Sequence, residues 1–483
     1  MEKRFTQWLN TIMIAFLCLI GIMSIGSFTV TGQSMQLWWA LNTAIILLGV
    51  GFLLCRMPLV FSPYVLGIVF LGGILLRCAW VLLIPTVPQS DYQSMIEAAI
   101  EFSRGAPDVF EFGSYFHRFP HLTFYVVTVG YLFRLFGENI WIVKGINVAF
   151  SSLCILIAYG IGNELGHKRL GVLFALLTAI FPPLICYTSV AVTELFAMPF
   201  LMASLLFLIK AYRKSKLRPK LLYCAVSGIL LSIGSLYRMV GPLYLAAYSL
   251  SIIIIFAKGC KWKSLLSLLL AYFILFYAVD GVLFVSGTVP YHLNHGGTPF
   301  SLFFLIGFNP ESGGMFNEED HQIYYEYGGD RAAMEAAIWD RLIPRITERP
   351  LQLIPLFFKK TFVLWSDGDF AANYWAYDQG VPEPAESKPH LTLIYNFNRI
   401  FYLALLLFCL AALLQYRSHP IVLLLSLLIL GFEGAYMLLE VQPRYTFSVA
   451  YIFVFLGALG IASITGLFRQ KDTPVFLFHS LLE

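Results

Sequence analysis

The segment PTVPQSDYQSMIEAAIEFSRG (85–105) presents a carboxylate, Asp91, almost directly after SPYVLGIVFLGGILLRCAWVLLI, a run long and apolar enough to cross a bilayer. A second acid, Glu194, stands in TSVAVTELFAMPF between two later apolar runs. Guanidiniums recur at comparable positions: Arg118 in YFHRFPHLTFY, Arg238 in GSLYRMVGPLY and Arg444 in LLEVQPRYTFSVA. Acids and guanidiniums facing one compartment suit transfer from a phosphorylated donor. An acid activates an acceptor hydroxyl, and cations neutralise the departing phosphate. Asp91 and Glu194 are therefore the candidate catalytic residues. Arg118, Arg238, Arg444, Lys359 and Lys360, with His117, Tyr92 and Tyr445 beside them, are candidate substrate contacts.

Each of these residues also has a structural explanation. An acid at a helix start complements the dipole, and arginines at helix ends reach back to the membrane interface. Lys359 and Lys360 sit inside PLQLIPLFFKKTFVLW and suit an interfacial anchor. SDGDF offers Asp367 and Asp369 as hard oxygen ligands for magnesium or manganese, although D-G-D is equally an ordinary turn. The primary expectation is no cofactor, with a divalent cation as the alternative.

The elements that must position these groups are membrane helices. The chain has 483 residues, 59% hydrophobic and 12% charged, against about 25% charged in soluble domains. Its net charge of +4 comes from short basic clusters between apolar runs, which excludes a nucleic-acid footprint. Apolar runs of spanning length predict about twelve transmembrane helices: 11–30, 37–55, 62–84, 140–162, 170–187, 196–212, 220–237, 240–257, 264–286, 396–416, 420–439 and 446–468. With a cytoplasmic N-terminus, Arg56, HKR (167–169), RKSKLRPK (213–220), KGCKWK (258–263), YRSH (416–419) and RQK (469–471) all fall inside. Two further apolar stretches, 120–137 and 350–365, carry internal charges and read as interfacial helices in two outer loops, 85–139 and 287–395. The apolar face of the helix begun by Asp91 (Met95, Ile96, Ala99, Ile100) is expected to lie on the bilayer. ESKPH (386–390) is the only linker-like stretch, and the eight cysteines form no metal-ligand or CxxC spacing.

The order of these features is an apolar span, P-x-x-D, a short amphipathic helix, a Pro-aromatic segment (FPHLTFYVVTVGYLFRLFG), two spans joined by a basic turn, and an acid (AVTELFAMPF). This resembles the GT-C superfamily of membrane glycosyltransferases. It looks close to the family 39 type that includes protein O-mannosyltransferases and the lipid A aminoarabinose transferase. The resemblance covers residues 62–260 and resumes at QPRYTFSVA. It implies that Asp91 is the catalytic or acceptor-orienting carboxylate, that Glu194 matches the acid of the next outer turn, and that Arg118 corresponds to a donor-phosphate contact. The expected fold is an all-α polytopic GT-C bundle. It divides into an N-terminal hairpin (1–61), a catalytic core (62–286), a large outer loop (287–395) and C-terminal helices with a cytoplasmic tail (396–483).

The expected activity is transfer of a sugar from a polyprenyl-phosphate donor to an acceptor on a lipid, polymer or protein, outside the cytoplasm. A multi-pass protein of a bacterial plasma membrane, with both termini cytoplasmic, fits this reading. The chain carries no Gly-rich phosphate loop for a nucleotide sugar. Two rivals remain. A polysaccharide polymerase or ligase would hold phosphates on Arg331, Arg341 and Arg345. A transporter would use charges inside the spans, of which Arg77 and Glu433 are the chief examples.

Overall fold

A computed structural model describes residues 2–30, 35–56, 63–106, 108–165, 168–256, 258–382 and 390–466. The described residues form helices, turns and loops, with no strand. RQK (469–471) and most of ESKPH (386–389) lie outside the described residues.

Ten helices are long and apolar enough to cross a membrane, or eleven when the bent pair Lys168–Ile180 and Pro182–Ser189 counts as one span. Gly241–Ile255, at 15 residues, is shorter. Every expected span is largely helical over its described residues, and two depart from a straight crossing. The bend of 57° follows from Pro182 and Pro183, which withhold two backbone N–H groups. The carbonyls left open at the break would be costly in an apolar setting. Arg77 satisfies them. Its guanidinium, fully buried, donates to Ala179 O at 3.0 Å, Thr178 O at 3.2 Å and Ser151 Oγ at 2.7 Å. The mid-span charge that a transporter would use is thus spent on mending a helix.

The helices pack closely where small residues allow it. A Cβ at Gly228 would strike Leu268 O, and one at Gly460 would strike Phe408 O, so these crossings bring backbone against backbone. The two N-terminal helices, Glu2–Val30 and Met35–Arg56, lie chiefly against Leu391–Gln415 rather than against each other.

The two stretches excluded from the span count are helices too short to cross. Thr123–Phe136 (14 residues) and Leu353–Trp365 (13 residues) reach about 20 Å at 1.5 Å per residue, against about 30 Å of hydrocarbon. Each docks on the bundle by one face and leaves Leu135 and Phe136, or Ile354 and Phe358, exposed. Thr123–Phe136 also corrects one expectation. The apolar face of helix Asp91–Ser103 packs against it, with Met95 and Ala99 essentially inaccessible, and does not lie on lipid. Gly130 permits this by letting Phe102 and Ala99 O approach.

Helix order separates two ends of the bundle. Thr193–Tyr212 carries Glu194 in its first turn and is followed by Arg213, and Leu217–Tyr237 begins in the basic segment and is followed by Arg238. Ser215 and Glu319 are both exposed, at opposite ends of this order. A Cys at 319 in a Cys-free background is expected to label from outside intact cells, and a Cys at 215 only after permeabilisation. The reverse pattern would invert the assigned orientation.

Candidate active site

Four chain segments bring their ends together. The first is the loop Pro85–Ser90, tied down by Thr86, whose hydroxyl donates to Ala376 O at 2.6 Å, and by Val87 N, which donates to Gly380 O at 2.7 Å. The chain enters the next helix through Ser90 at φ 52°, a left-handed conformation costly for a residue with a Cβ. That turn sets Asp91 as the first helical residue. The other segments are the start of Thr193–Tyr212, the end of Leu217–Tyr237, and Glu440–Tyr445 between the last two spans.

Asp91 and Arg444, 353 residues apart, form the central pair. Arg444 Nη2 lies 2.8 Å from Asp91 Oδ2, and its Nη1 donates to the Tyr92 hydroxyl at 2.9 Å. The Tyr115 hydroxyl donates to the other Asp91 oxygen at 2.8 Å. Trp375 packs edge-on against Tyr92, with the Arg444 guanidinium 5.5 Å from its ring. Glu194, buried, accepts from the Thr193 hydroxyl at 3.0 Å and faces Arg238 at 3.5 Å. Arg238 in turn lies 5.3 Å from the Tyr445 ring. Glu440, also buried, accepts from Gln442 at 2.9 Å and from the Tyr445 hydroxyl at 3.0 Å.

These groups surround a cavity of about 610 Å³, within the range of small-molecule sites. Its lining is polar through the acids, guanidiniums and hydroxyls just named, with His121. It is aliphatic through Met239, Val240, Leu243, Leu302 and Ile306. Burial pushes the Asp91 carboxyl up, but the charge and hydrogen bond of Arg444 and the Tyr115 hydroxyl outweigh it, so its pKa falls below the usual carboxylate value. Burial, then the charges of Arg238 and Arg444, push His121 down to about 4, so it is neutral at physiological pH. Burial raises Glu440, against its two hydrogen bonds.

Six of the expected site residues line this cavity: Asp91, Tyr92, Glu194, Arg238, Arg444 and Tyr445. The others stand elsewhere. Arg118 lies behind the wall, 8% exposed, donating to the Tyr325 hydroxyl at 2.7 Å and lying 4.1 Å from the Tyr324 ring. His117 accepts from Gly113 N at 3.1 Å and packs on Tyr291 and Phe112. Lys359 is exposed and lies against Gly313.

Lys360 is corrected outright. It is fully buried, and its ammonium donates to Gly307 O at 2.9 Å, Met437 O at 2.8 Å and Leu439 O at 2.7 Å. All three of its donors are consumed. Its helix is held further by Thr361 and Trp365, which donate to Glu433 at 2.6 and 2.7 Å. Lys360→Met strands three carbonyls, each costing about 1–3 kcal/mol. It is expected to lower the amount of folded protein in the membrane, whereas Lys359→Gln leaves that amount unchanged. Equal levels for the two variants would show that the staple does not hold the fold.

The two aspartates proposed for a metal do not fit one. Asp367 is ion-paired with Arg399, and Asp369, 2% exposed, accepts from Asn373 N through both oxygens. Among the described residues no three His, Cys, Asp or Glu side chains converge as ligands. The loop arginines of the polymerase reading are likewise engaged. Arg331 donates to Gly296 O, Arg341 pairs with Glu326, and Arg345 grips Asp320 with both nitrogens. None of the three lines the cavity.

The sequence reading missed Tyr115, His121 and Glu440. Each lay inside a quoted segment: Tyr115 and His121 flank Arg118, and Glu440 precedes Arg444 by four residues. An acid that close to a site arginine was a usable signal.

Residues 120–283 match the family model for dolichyl-phosphate-mannose-protein mannosyltransferase. The match contains Glu194 and Arg238; Asp91 and Arg444 lie outside it. Among solved structures, the chain is similar to the oligosaccharyltransferase of Archaeoglobus fulgidus in its apo form. Identity is 18% and the TM-score 0.51, over 87% of this chain and 54% of that one. A second structure of the archaeal oligosaccharyltransferase AglB, with an inhibitory peptide and a dolichol-phosphate, gives 16% identity and a TM-score of 0.45, covering 87% and 53%. This chain therefore spans about half the length of the archaeal enzyme it matches. No curated protein matches it in sequence. With its membrane helices, converging helix ends and this structural likeness, the chain has the fold of the GT-C superfamily of membrane glycosyltransferases.

Proposed function

We propose that the protein transfers a sugar from a polyprenyl-phosphate donor to an acceptor hydroxyl at the extracytoplasmic face of the membrane. The observation that carries this reading is the Asp91–Arg444 pair, 2.8 Å apart, in a cavity lined by both polar and aliphatic side chains. The match to a family described by a dolichyl-phosphate sugar supports the donor class. The clustering of basic loops at the far end of the helices supports the face.

In the reaction the acceptor oxygen bonds to the anomeric carbon, and its proton passes to Asp91. The bond from that carbon to the phosphate oxygen breaks, and its electron pair leaves with the polyprenyl phosphate. Arg444 and Arg238 meet the charge that grows on that oxygen. Glu194, held by Thr193 and facing Arg238, orients that guanidinium.

Both Asp91 oxygens are engaged, by Tyr115 and Arg444. A donor phosphate competes for Arg444, which frees one oxygen and removes the charge that depresses the carboxyl. Donor binding thereby makes Asp91 a better base. Cells lacking the protein are expected to accumulate one sugar-bearing polyprenyl phosphate, read by mass spectrometry of carrier lipids. An unchanged carrier pool would overturn the reading.

A further inference from the structure

A chain of aromatic rings, contributed by both long loops, leads from Asp91 to solvent. The Tyr115 ring, whose hydroxyl holds Asp91 at 2.8 Å, packs on Phe119 at 5.1 Å. Phe119 stacks on His321 at 6.2 Å with an interplanar angle of 11°, and His321 meets Phe316 at 5.1 Å. All four line the cavity, and Phe316, 49% exposed, forms the outer end.

Arg118 sets the chemistry in the middle of this track. Its Nη2 lies 3.2 Å from His321 Nε2. A guanidinium only donates, so Nε2 accepts, and the ring is neutral with its proton on Nδ1. Burial and the Arg118 charge both push the His321 pKa down, in the same direction. The Nδ1–H donor has no protein acceptor among the described residues. Arg118 itself keeps a buried Nε without a partner.

We propose that the acceptor is a carbohydrate, whose ring lies on the Phe119–His321–Phe316 track and whose hydroxyl accepts from His321 Nδ1–H. This rests on the glycosyl-transfer reading above and names the acceptor class for the same site. A pyranose ring has a C–H face that suits the negative face of an aromatic ring, and a polar edge that needs donors and acceptors. An extended peptide held by strand addition needs a free strand edge, and the described residues contain no strand. A lipid chain suits the aliphatic part of the lining, where Met239, Val240 and Leu243 come within five residues after Arg238. The donor thus enters along the arginine and aliphatic lining, and the acceptor sugar along the ring track that ends on the base.

The test is saturation-transfer NMR on the full chain in nanodiscs, with methyl hexopyranosides and disaccharides as one probe set and Ser/Thr-containing peptides as the other. Saccharides are expected to give signal and peptides none. Phe316→Ala, at an exposed position that does not endanger folding, and His321→Ala are each expected to weaken saccharide binding about five-fold. Both variants should bind polyprenyl monophosphate within about two-fold of the unaltered protein, which also reports that they are folded. Saccharide binding indifferent to both substitutions, or binding of peptides alone, overturns the proposal. Polyprenyl monophosphate bound without any saccharide signal overturns the acceptor inference alone. Saccharides bound without polyprenyl monophosphate support the track and overturn the donor reading.

Discussion

Asp91→Asn is expected to lower the rate of sugar transfer by about 10²–10⁴-fold, the usual contribution of a general base. The substitution is nearly isosteric, and the site accommodates it. The amide oxygen can face Arg444, and the amide N–H can donate to the Tyr115 hydroxyl, which accepts as readily as it donates. What is lost is the ability to take a proton at neutral pH. Loss of the ion pair also costs some stability, reduced because Asp91 is 36% exposed. Protein level and donor binding must therefore be measured beside turnover. Glu97→Gln and Glu101→Gln supply the controls. Both acids lie on the exposed face of the same helix, and Glu97 only accepts from Gln93 at 2.8 Å. Transfer at the unaltered rate by Asp91→Asn, or equal damage from Glu97→Gln, would reduce Asp91 to a helix-start charge.

The transmembrane order was legible because the bilayer makes one strong demand, about 20 apolar residues per crossing with basic residues on one side. The same rule placed Asp91, Glu194, Arg238 and Arg444 at one end of the bundle, and the structure gathers all four around one cavity. Side-chain partners were less legible. Lys360 looks like a surface anchor in a string of letters, because nothing local reveals three carbonyls contributed by Gly307, Met437 and Leu439. Arg118 was read as a phosphate contact from its place in the segment. Its actual neighbours, Tyr324, Tyr325 and His321, come from about 200 residues further on. The span 170–187 was expected to cross unbroken, and neither its bend at Pro182 nor the repair by Arg77, a helix away, was anticipated. Periodicity and charge reach only as far as a residue's own element, and these contacts cross between elements.

Arg444→Lys is expected to lower transfer by about 10²-fold, the scale for losing one well-placed donor to a developing oxyanion. Lysine keeps the charge but not the fork. Arg444 reaches Tyr92 with one nitrogen at 2.9 Å and Asp91 with the other at 2.8 Å, and a single ammonium cannot hold both in that geometry. Arg238→Lys should cost less, because its contact to Glu194 is already long at 3.5 Å. A pH profile separates positioning from charge. The Asp91 carboxyl lies below its ordinary value because Arg444 and Tyr115 outweigh the upward push of burial. The base form therefore persists at neutral pH and is lost only as pH falls through that depressed value. In Arg444→Met burial still pushes the carboxyl up and its strongest opponent is gone, so the acid limb of kcat/KM should move to higher pH. In Arg444→Lys the charge survives and the limb should move less. An acid limb that stays in place in Arg444→Met would mean that Asp91 is not the group titrating in the rate. Activity near that of the unaltered protein in Arg444→Lys would mean that the fork does not hold the donor phosphate.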